Sequence, residues 1–324
     1  MAMRIFACGK DGKLEQPTDL KQAAKLVGKK EVWVDCENPS RAEAEEIGKA
    51  FELHPLSVED SLNERQRAKL DEYPGYSYLV IHAVGLTENL SASQLNLFLG
   101  EDFIVTIHRK PLQAVEDTVA LVTSKPDVLG KGSDYVAHAL MDELVDHIFP
   151  VLDHFEERIS RIEEEIFESS GANVIQNKKI VDSIFRLKKD LLQVRKVIWP
   201  HRETIHSLLS RRVPYIHDEA VPYFRDVYDH LIRITDMLET YRELLSSTME
   251  AYLSVVSNNL NVVMKKLTAI TAIIMVPALI AGIYGMNFST IPELRAEWGF
   301  YEALAIMAVA VLGLFTYFRL RQWI

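Results

Sequence analysis

The sequence predicts an α+β membrane protein, with an N-terminal cytoplasmic α/β domain, a long helical hairpin and stalk helix, and two C-terminal transmembrane helices. Three observations predict it. Short strand-like and helical pieces alternate over about the first hundred residues. Charged, helix-periodic sequence follows from Ser133. Two apolar runs, Leu267 to Ile283 and Tyr301 to Phe318, then nearly finish the chain.

In the first region, Arg4 to Cys8 and Glu31 to Cys36 read as strands, the β-branched Val32 and Val34 flanking Trp33. Ser40 followed three residues later by Glu43 is a capping-box signature and opens a helix to about Leu53. His54-Pro55 breaks that helix, and a short one bearing Glu59 and Asp60 follows. Tyr76 to Leu86, Gln94 to Leu99 and Phe103 to His108 are three further strands, with Gly100-Glu101-Asp102 as the hairpin turn between the last two. The domain boundary falls at residues 1–130, within the usual domain range.

From Ser133 to about Ser169 runs an acid-rich helix that Pro150 kinks or breaks. A Lys- and Arg-rich helix from about Ile175 to Arg211 pairs with it as an antiparallel hairpin, surface charges interleaved. A stalk helix begins near Pro222 and meets no further Gly or Pro until Pro277, about 55 residues or about 80 Å at the helical rise. Alternate steps of three and four from Asp226 meet Asp229, Arg233, Asp236, Thr240, Glu243, Ser247, Glu250, Ser254, Ser257 and Asn261, every one polar. The same steps continue through Met264, Thr268, Thr271, Met275, Ala278 and Gly282, still small or polar in places inside the apolar run. A seven-residue repeat marks a seam along a bundle. An ordinary solvated helix face explains it equally well over residues 226–257, and less well beyond Lys265, where the seam enters the apolar run.

Leu267 to Met286 offers about 20 uncharged residues, enough to span a hydrocarbon core, and Tyr301 to Phe318 is slightly short but tolerable. Lys265 and Lys266 precede the first span, and Arg319 and Arg321 follow the second. The loop between them holds only Arg295. Both termini are therefore expected in the cytoplasm, with the protein multi-pass in the cell (inner) membrane. The divisions are residues 131–266 for hairpin and stalk, 267–286 and 301–318 for the spans, 287–300 for the outer loop and 319–324 for a basic tail. Two spans cannot enclose a hydrophilic path within one chain, so conduction needs several copies. The seam makes the first span the lining.

Composition narrows the partners. A net charge of -10 disfavours nucleic acid, whose phosphates require a basic surface, and suits metal cations. The two cysteines, Cys8 and Cys36, form no pairing pattern, and the N-terminus lacks the apolar stretch of a cleaved signal. No phosphate loop, GxSxG or metal-hydrolase spacing points to an enzyme, and nothing calls for an organic cofactor.

At the turn between the spans stands Tyr284-Gly285-Met286-Asn287-Phe288, followed by Ile291-Pro292-Glu293-Leu294. Upstream are Val221-Pro222-Tyr223-Phe224-Arg225-Asp226-Val227-Tyr228-Asp229-His230, Ile198-Trp199-Pro200, and His54-Pro55-Leu56 with Glu59-Asp60. In this order these motifs resemble the CorA family of divalent-cation channels across nearly the whole chain. The resemblance implies a homopentamer passing Mg2+ inward passively, with Co2+ and Ni2+ also accepted. It implies a mouth at Gly285, Met286 and Asn287, and a pore lined by Asn261, Met264, Leu267, Met275 and Gly282. Thr268 and Thr271 join that lining from the seam. Regulatory Mg2+ is implied at cytoplasmic acids between subunits, Glu59 and Asp60 facing Asp226, with Asp142 in the same region. Ala278 departs from the hydroxyl residue common there, which makes that step less polar.

The residue types suit the chemistry. Mg2+ gives up its waters reluctantly, and a ring of neutral Asn287 amides can hold the hydrated ion without trapping it as carboxylates would. Glu293 and Glu297 outside would raise the local cation concentration. Met264, Leu267 and Met275 suit a gate that closes by dewetting. Two other readings stay open: a Zn2+ transporter of the same fold, although the first span has no His or Cys, and a membrane-anchored sensor or scaffold that transports nothing.

Overall fold

The computed structural model describes residues 2–86, 90–168, 174–211, 213–286 and 298–324. Seven strands form one sheet: β1 (Ala2–Cys8), β2 (Leu14–Glu15), β3 (Glu31–Glu37), β4 (Lys69–Tyr73), β5 (Tyr76–Leu86), β6 (Leu90–Gly100) and β7 (Phe103–His108). Their order is β2-β1-β3-β7-β6-β5-β4, and among the described residues only β3 and β7 pair in parallel. Helices cover both faces, so Val32 to Cys36 at the sheet centre is buried without alternation. On one face α1 (Leu20–Leu26) and α2 (Arg41–Ala50) contribute Leu20, Ala23, Ala44 and Ile47 to the core with Val32, Val34 and Val105. On the other lie α4 (Gln113–Ser124), α5 (Asp127–Lys131) and α6 (Ser133–Asp146), packed against one another and, for α5 and α6, against the strands.

The expected five strands are present, and the structure adds two at the edges. Of these, β4 is joined to β5 by Pro74-Gly75, Gly75 taking φ +91, which the second central position of such a turn requires. The capping box is formed: Ser40 Oγ accepts from the Glu43 N–H and Glu43 Oε2 from the Ser40 N–H, at 3.3 and 2.7 Å. The break at His54-Pro55 is a new helix start. The His54 ring caps α3 (Pro55–Ser61) and Pro55 occupies its first turn.

A buried charge sits in β3. The Asp35 carboxylate, 1% exposed, receives Arg4 Nη2 at 2.8 Å and the Thr106 hydroxyl at 2.6 Å, with His108 Nε2 at 3.2 Å. Burial works to raise its pKa, but His108, Thr106 and Arg4 outweigh burial and hold it below the ordinary value.

The long helices obey one heptad rule. The acid-rich helix breaks at residues 147–148 into α6 and α7 (Phe149–Glu168), with Pro150 in the first turn of α7. Helix α8 (Val174–Arg211) buries Ile180, Ile184, Leu187, Leu191, Val194 and Ile198 at alternate threes and fours. Helix α9 (Val221–Tyr284) buries Phe224, Val227, Leu231, Ile234, Leu238 and Tyr241 in the same way. Ion pairs Arg158–Asp190 at 3.1 Å and Arg195–Glu239 at 2.9 Å tie α8 to α7 and α9. His201 continues the α8 seam. Fully buried, its Nε2 accepts the His82 N–H at 2.9 Å, and desolvation lowers its pKa to about 3, so it stays neutral.

Two compact units result: residues 1–162 with 181–246, and residues 163–180 with 247–324. In the second, Thr248 donates to Glu163 at 2.9 Å. There α9 continues through Pro277, and α10 (Gly299–Leu320) follows the turn. Both helices are long and apolar enough to cross a membrane, and Leu260, Leu267, Ile274, Leu279, Val309 and Leu312 are exposed along them.

Candidate functional site: an exposed helical seam and an acidic cluster

The seam's geometry follows from the heptad in α9. From Asp226 to Ser254 each polar seam residue lies two positions beyond a buried one: Phe224 precedes Asp226, Val227 precedes Asp229, and Leu231 precedes Arg233. The helix is anchored by one stripe and shows the other. Every seam residue from Asp226 through Asn261 to Gly282 is exposed, including Met264, Thr268, Thr271 and Met275. Leu267 lies three residues from Met264 and four from Thr271, so it shares their face, and it too is exposed.

Inside the apolar run the hydroxyls of Thr268 and Thr271 donate to their own helix, to the carbonyls of Met264 and Leu267 at 2.8 Å each. Their donors are thus satisfied, and lone pairs remain for the outside. A side chain added at Gly282 would meet nothing within 4 Å. At Gly285 a Cβ would come 3.1 Å from the Ala281 carbonyl, the group that accepts the Gly285 N–H at 2.9 Å. Glycine therefore fits where the helix closes. Asn287, Glu293 and Glu297 lie outside the described residues, and Met286, the last described before the gap, is exposed.

The acids expected to hold a regulatory ion fall into two places. Asp142 on α6 and Asp226 on α9 come together with His230, one potential ligand atom from each lying within 4.8 Å of the others. Asp146, one turn beyond Asp142, puts Oδ1 3.6 Å from His230 Nδ1. That nitrogen is buried and lacks a hydrogen-bond partner among the described residues. Phe149 packs edge-on against the His230 ring, with centroids 5.9 Å apart. Burial raises the Asp142 pKa, with Asp146 and Asp226 adding repulsion that His138 and His230 partly offset. Three carboxylates brought together, one of them uncomfortable as an anion, are an oxygen donor set that a divalent cation would relieve.

Glu59 and Asp60 stand elsewhere. Asp60 accepts from Lys69 Nζ at 2.7 Å and Gln66 Nε2 at 3.0 Å, so its charge is matched within the chain. Glu59 borders an open groove of about 800 Å³ together with Arg41, Lys49 and Arg109. Neither joins the Asp142 cluster within one chain. His230 and Asp146 were not singled out from sequence. The readable signal was the i,i+4 spacing of Asp226 with His230 and of Asp142 with Asp146, which puts each pair on one helical face.

Comparison with known proteins agrees with this architecture. The family described as CorA-like Mg2+ transporter protein matches residues 28–320. The cobalt/magnesium transport protein CorA of Thermotoga maritima is 37% identical over 298 residues, covering 90% of this chain and 83% of that protein. The protein of the same name from Methanocaldococcus jannaschii is 25% identical over 322 residues, covering 99% of each. The complete structure of the CorA magnesium transporter from Methanocaldococcus jannaschii superposes with a TM-score of 0.84 at 24% identity, covering 100% of this chain and 99% of that one. The match to the family runs from β3 through the rest of the sheet, the seam helix and both apolar helices. This chain belongs to the CorA-like Mg2+ transporter family.

Proposed function

We propose that this protein is a homo-oligomeric channel for passive Mg2+ entry, with Co2+ and Ni2+ as further cargo and internal Mg2+ as its closing signal. As a member of a transporter family it is not an enzyme. The observation that carries the reading is the continuous exposed seam of α9. One stripe is buried against the chain's own helices from Phe224 to Tyr252, and the other, from Asp226 to Gly282, is exposed and left for water or further copies. Over the soluble part a solvated face would account for it. Through the apolar run, Thr268, Thr271 and Gly282 have no use against lipid and do have one around a water-filled axis. Copies arranged with this face inward, five in number by likeness to the family, would line the path with Asn261, Met264, Leu267, Met275 and Gly282.

In this reading residues 1–130 and 131–266 lie in the cytoplasm with both termini, residues 267–286 and 301–318 cross the inner membrane, and residues 287–300 lie outside. Gly285 and Met286 bring the backbone to the mouth. Asn287 there hydrogen-bonds a still-hydrated ion, and Glu293 and Glu297 attract cations. Met264, Leu267 and Met275 form the constriction that dewets on closure.

For gating, Asp142, Asp146 and Asp226 supply the regulatory oxygen donors, His230 pairs with Asp146 and Asp226 beside them, and Glu59 and Asp60 of an adjacent copy face them. Bound Mg2+ cancels the mutual repulsion and favours the closed ring. Loss of the ion restores repulsion and shifts the population toward the open one. The Lys69–Asp60 pair must rearrange if Asp60 is to contribute, so Asp142 and Asp226 are the stronger ligands. The test is Mg2+ entry into dye-loaded proteoliposomes of the purified protein. Uptake that collapses as internal Mg2+ rises is expected. Liposomes no more permeable than empty ones would leave only a membrane-anchored scaffold.

A further inference from the structure

The face of α6 turned toward α4 carries a second group of ligating side chains, separate from the cluster above. Asp117 on α4, Glu143 on α6 and His147, which caps the C-terminal end of α6, each bring one potential ligand atom within 4.8 Å of the other two. His147 Nε2 lies 3.3 Å from Asp117 Oδ2. Two ligands of a tetrahedral zinc, each about 2.0–2.1 Å from the metal, are themselves separated by roughly 3.3 Å.

The framework is rigid. Glu143 and His147 are one turn apart, locked by the His147 N–H to Glu143 carbonyl bond at 3.1 Å. On α4, Ala114, Val115, Thr118 and Val122 are buried, so the helix carrying Asp117 is fixed by its packing. The other Asp117 oxygen accepts from Gln113 Nε2 at 2.9 Å, which orients the carboxylate as an outer partner of a metal ligand does.

We propose that Asp117, Glu143 and His147 form a binding site for a first-row transition dication, Zn2+, Ni2+ or Co2+, that does not accept Mg2+. The imidazole decides the class. Zinc, nickel and cobalt take a nitrogen readily alongside carboxylates, whereas Mg2+ demands oxygens and keeps its waters. Three protein ligands leave positions for water and give an open site. The site shares no residue with the pore or the Mg2+ cluster, so its fate and that of the proposed channel are separable.

The test uses the detergent-purified full-length protein in millimolar Mg2+, titrated with Co2+ and followed by its visible absorption and by calorimetry. One Co2+ per chain that Mg2+ does not displace is expected. His147→Ala and Glu143→Gln should each weaken it by about tenfold or more, the loss typical of disturbing a metal site. Mg2+ uptake by both variants certifies their fold, and His230→Ala should leave this Co2+ binding unchanged. Binding unaltered by both His147→Ala and Glu143→Gln, or abolished by Mg2+, overturns the assignment.

Discussion

Replacing Asp226 by asparagine keeps the size of the side chain and removes one negative charge from the acidic cluster. Its carboxylate lies within 4.8 Å of the Asp142 ligand atom and its side chain is 67% exposed. At that separation a unit charge pair interacts by about 3.5 kcal/mol at an effective dielectric of 20 and about 0.9 kcal/mol in water. A dication loses two such attractions when the charge goes, and relief of the Asp142–Asp226 repulsion in the metal-free state returns one. The net loss is therefore one pair, and the exposure of Asp226 puts it near the lower end, at about 1–2 kcal/mol. That corresponds to a midpoint for closure by internal Mg2+ roughly tenfold higher. The assay is initial Mg2+ uptake by proteoliposomes preset to a series of internal Mg2+ concentrations. Uptake at low internal Mg2+ should match the wild type. A midpoint unmoved within about twofold would refute the gating role of this cluster.

Gly282→Leu tests whether the seam faces a pore: nothing within 4 Å obstructs the new side chain in one subunit, so expression and Tm should hold. Uptake should nonetheless fall by about tenfold or more if copies converge on this face, and stay unchanged if it faces lipid. Glu31→Gln tests the soluble domain. Burial, with Asp102 adding repulsion, pushes the Glu31 pKa up to about 7 from 4.5, so the folded state holds a proton the unfolded chain releases. That contribution is complete below about pH 4.5 and lost as pH rises through about 7, a swing of about 2 kcal/mol once remaining solvent access is allowed for. The Tm of the wild type should thus decline more than that of Glu31→Gln between pH 5 and 8, and parallel curves would remove the claim.

Much of the fold was legible because local signals and tertiary structure agree. Ser40 with Glu43 and His54 with Pro55 mark helix starts by backbone chemistry, and the structure uses both as such. Strand β4 escaped notice because Lys69, Asp71 and Glu72 make it polar, as an edge strand can be. Helix α4 has no side-chain cap at Leu112 to announce it, and α1 is seven residues long. The missed β4 also concealed a feature of the site, since it carries the Lys69 that pairs with Asp60. The stripe along α9 was readable from spacing alone. The meeting of α6 with α9 was not, because the encounter of Asp142 with His230 depends on packing between helices distant in sequence.

The central claim is a water-lined path along this stripe that ends at a ring of neutral amides. Mg2+ uptake by proteoliposomes of Asn287→Ala, compared with wild type at equal protein and low internal Mg2+, tests it most directly. The account predicts that uptake falls to a small fraction of wild type while assembly and Tm are retained. Uptake equal to wild type would contradict it.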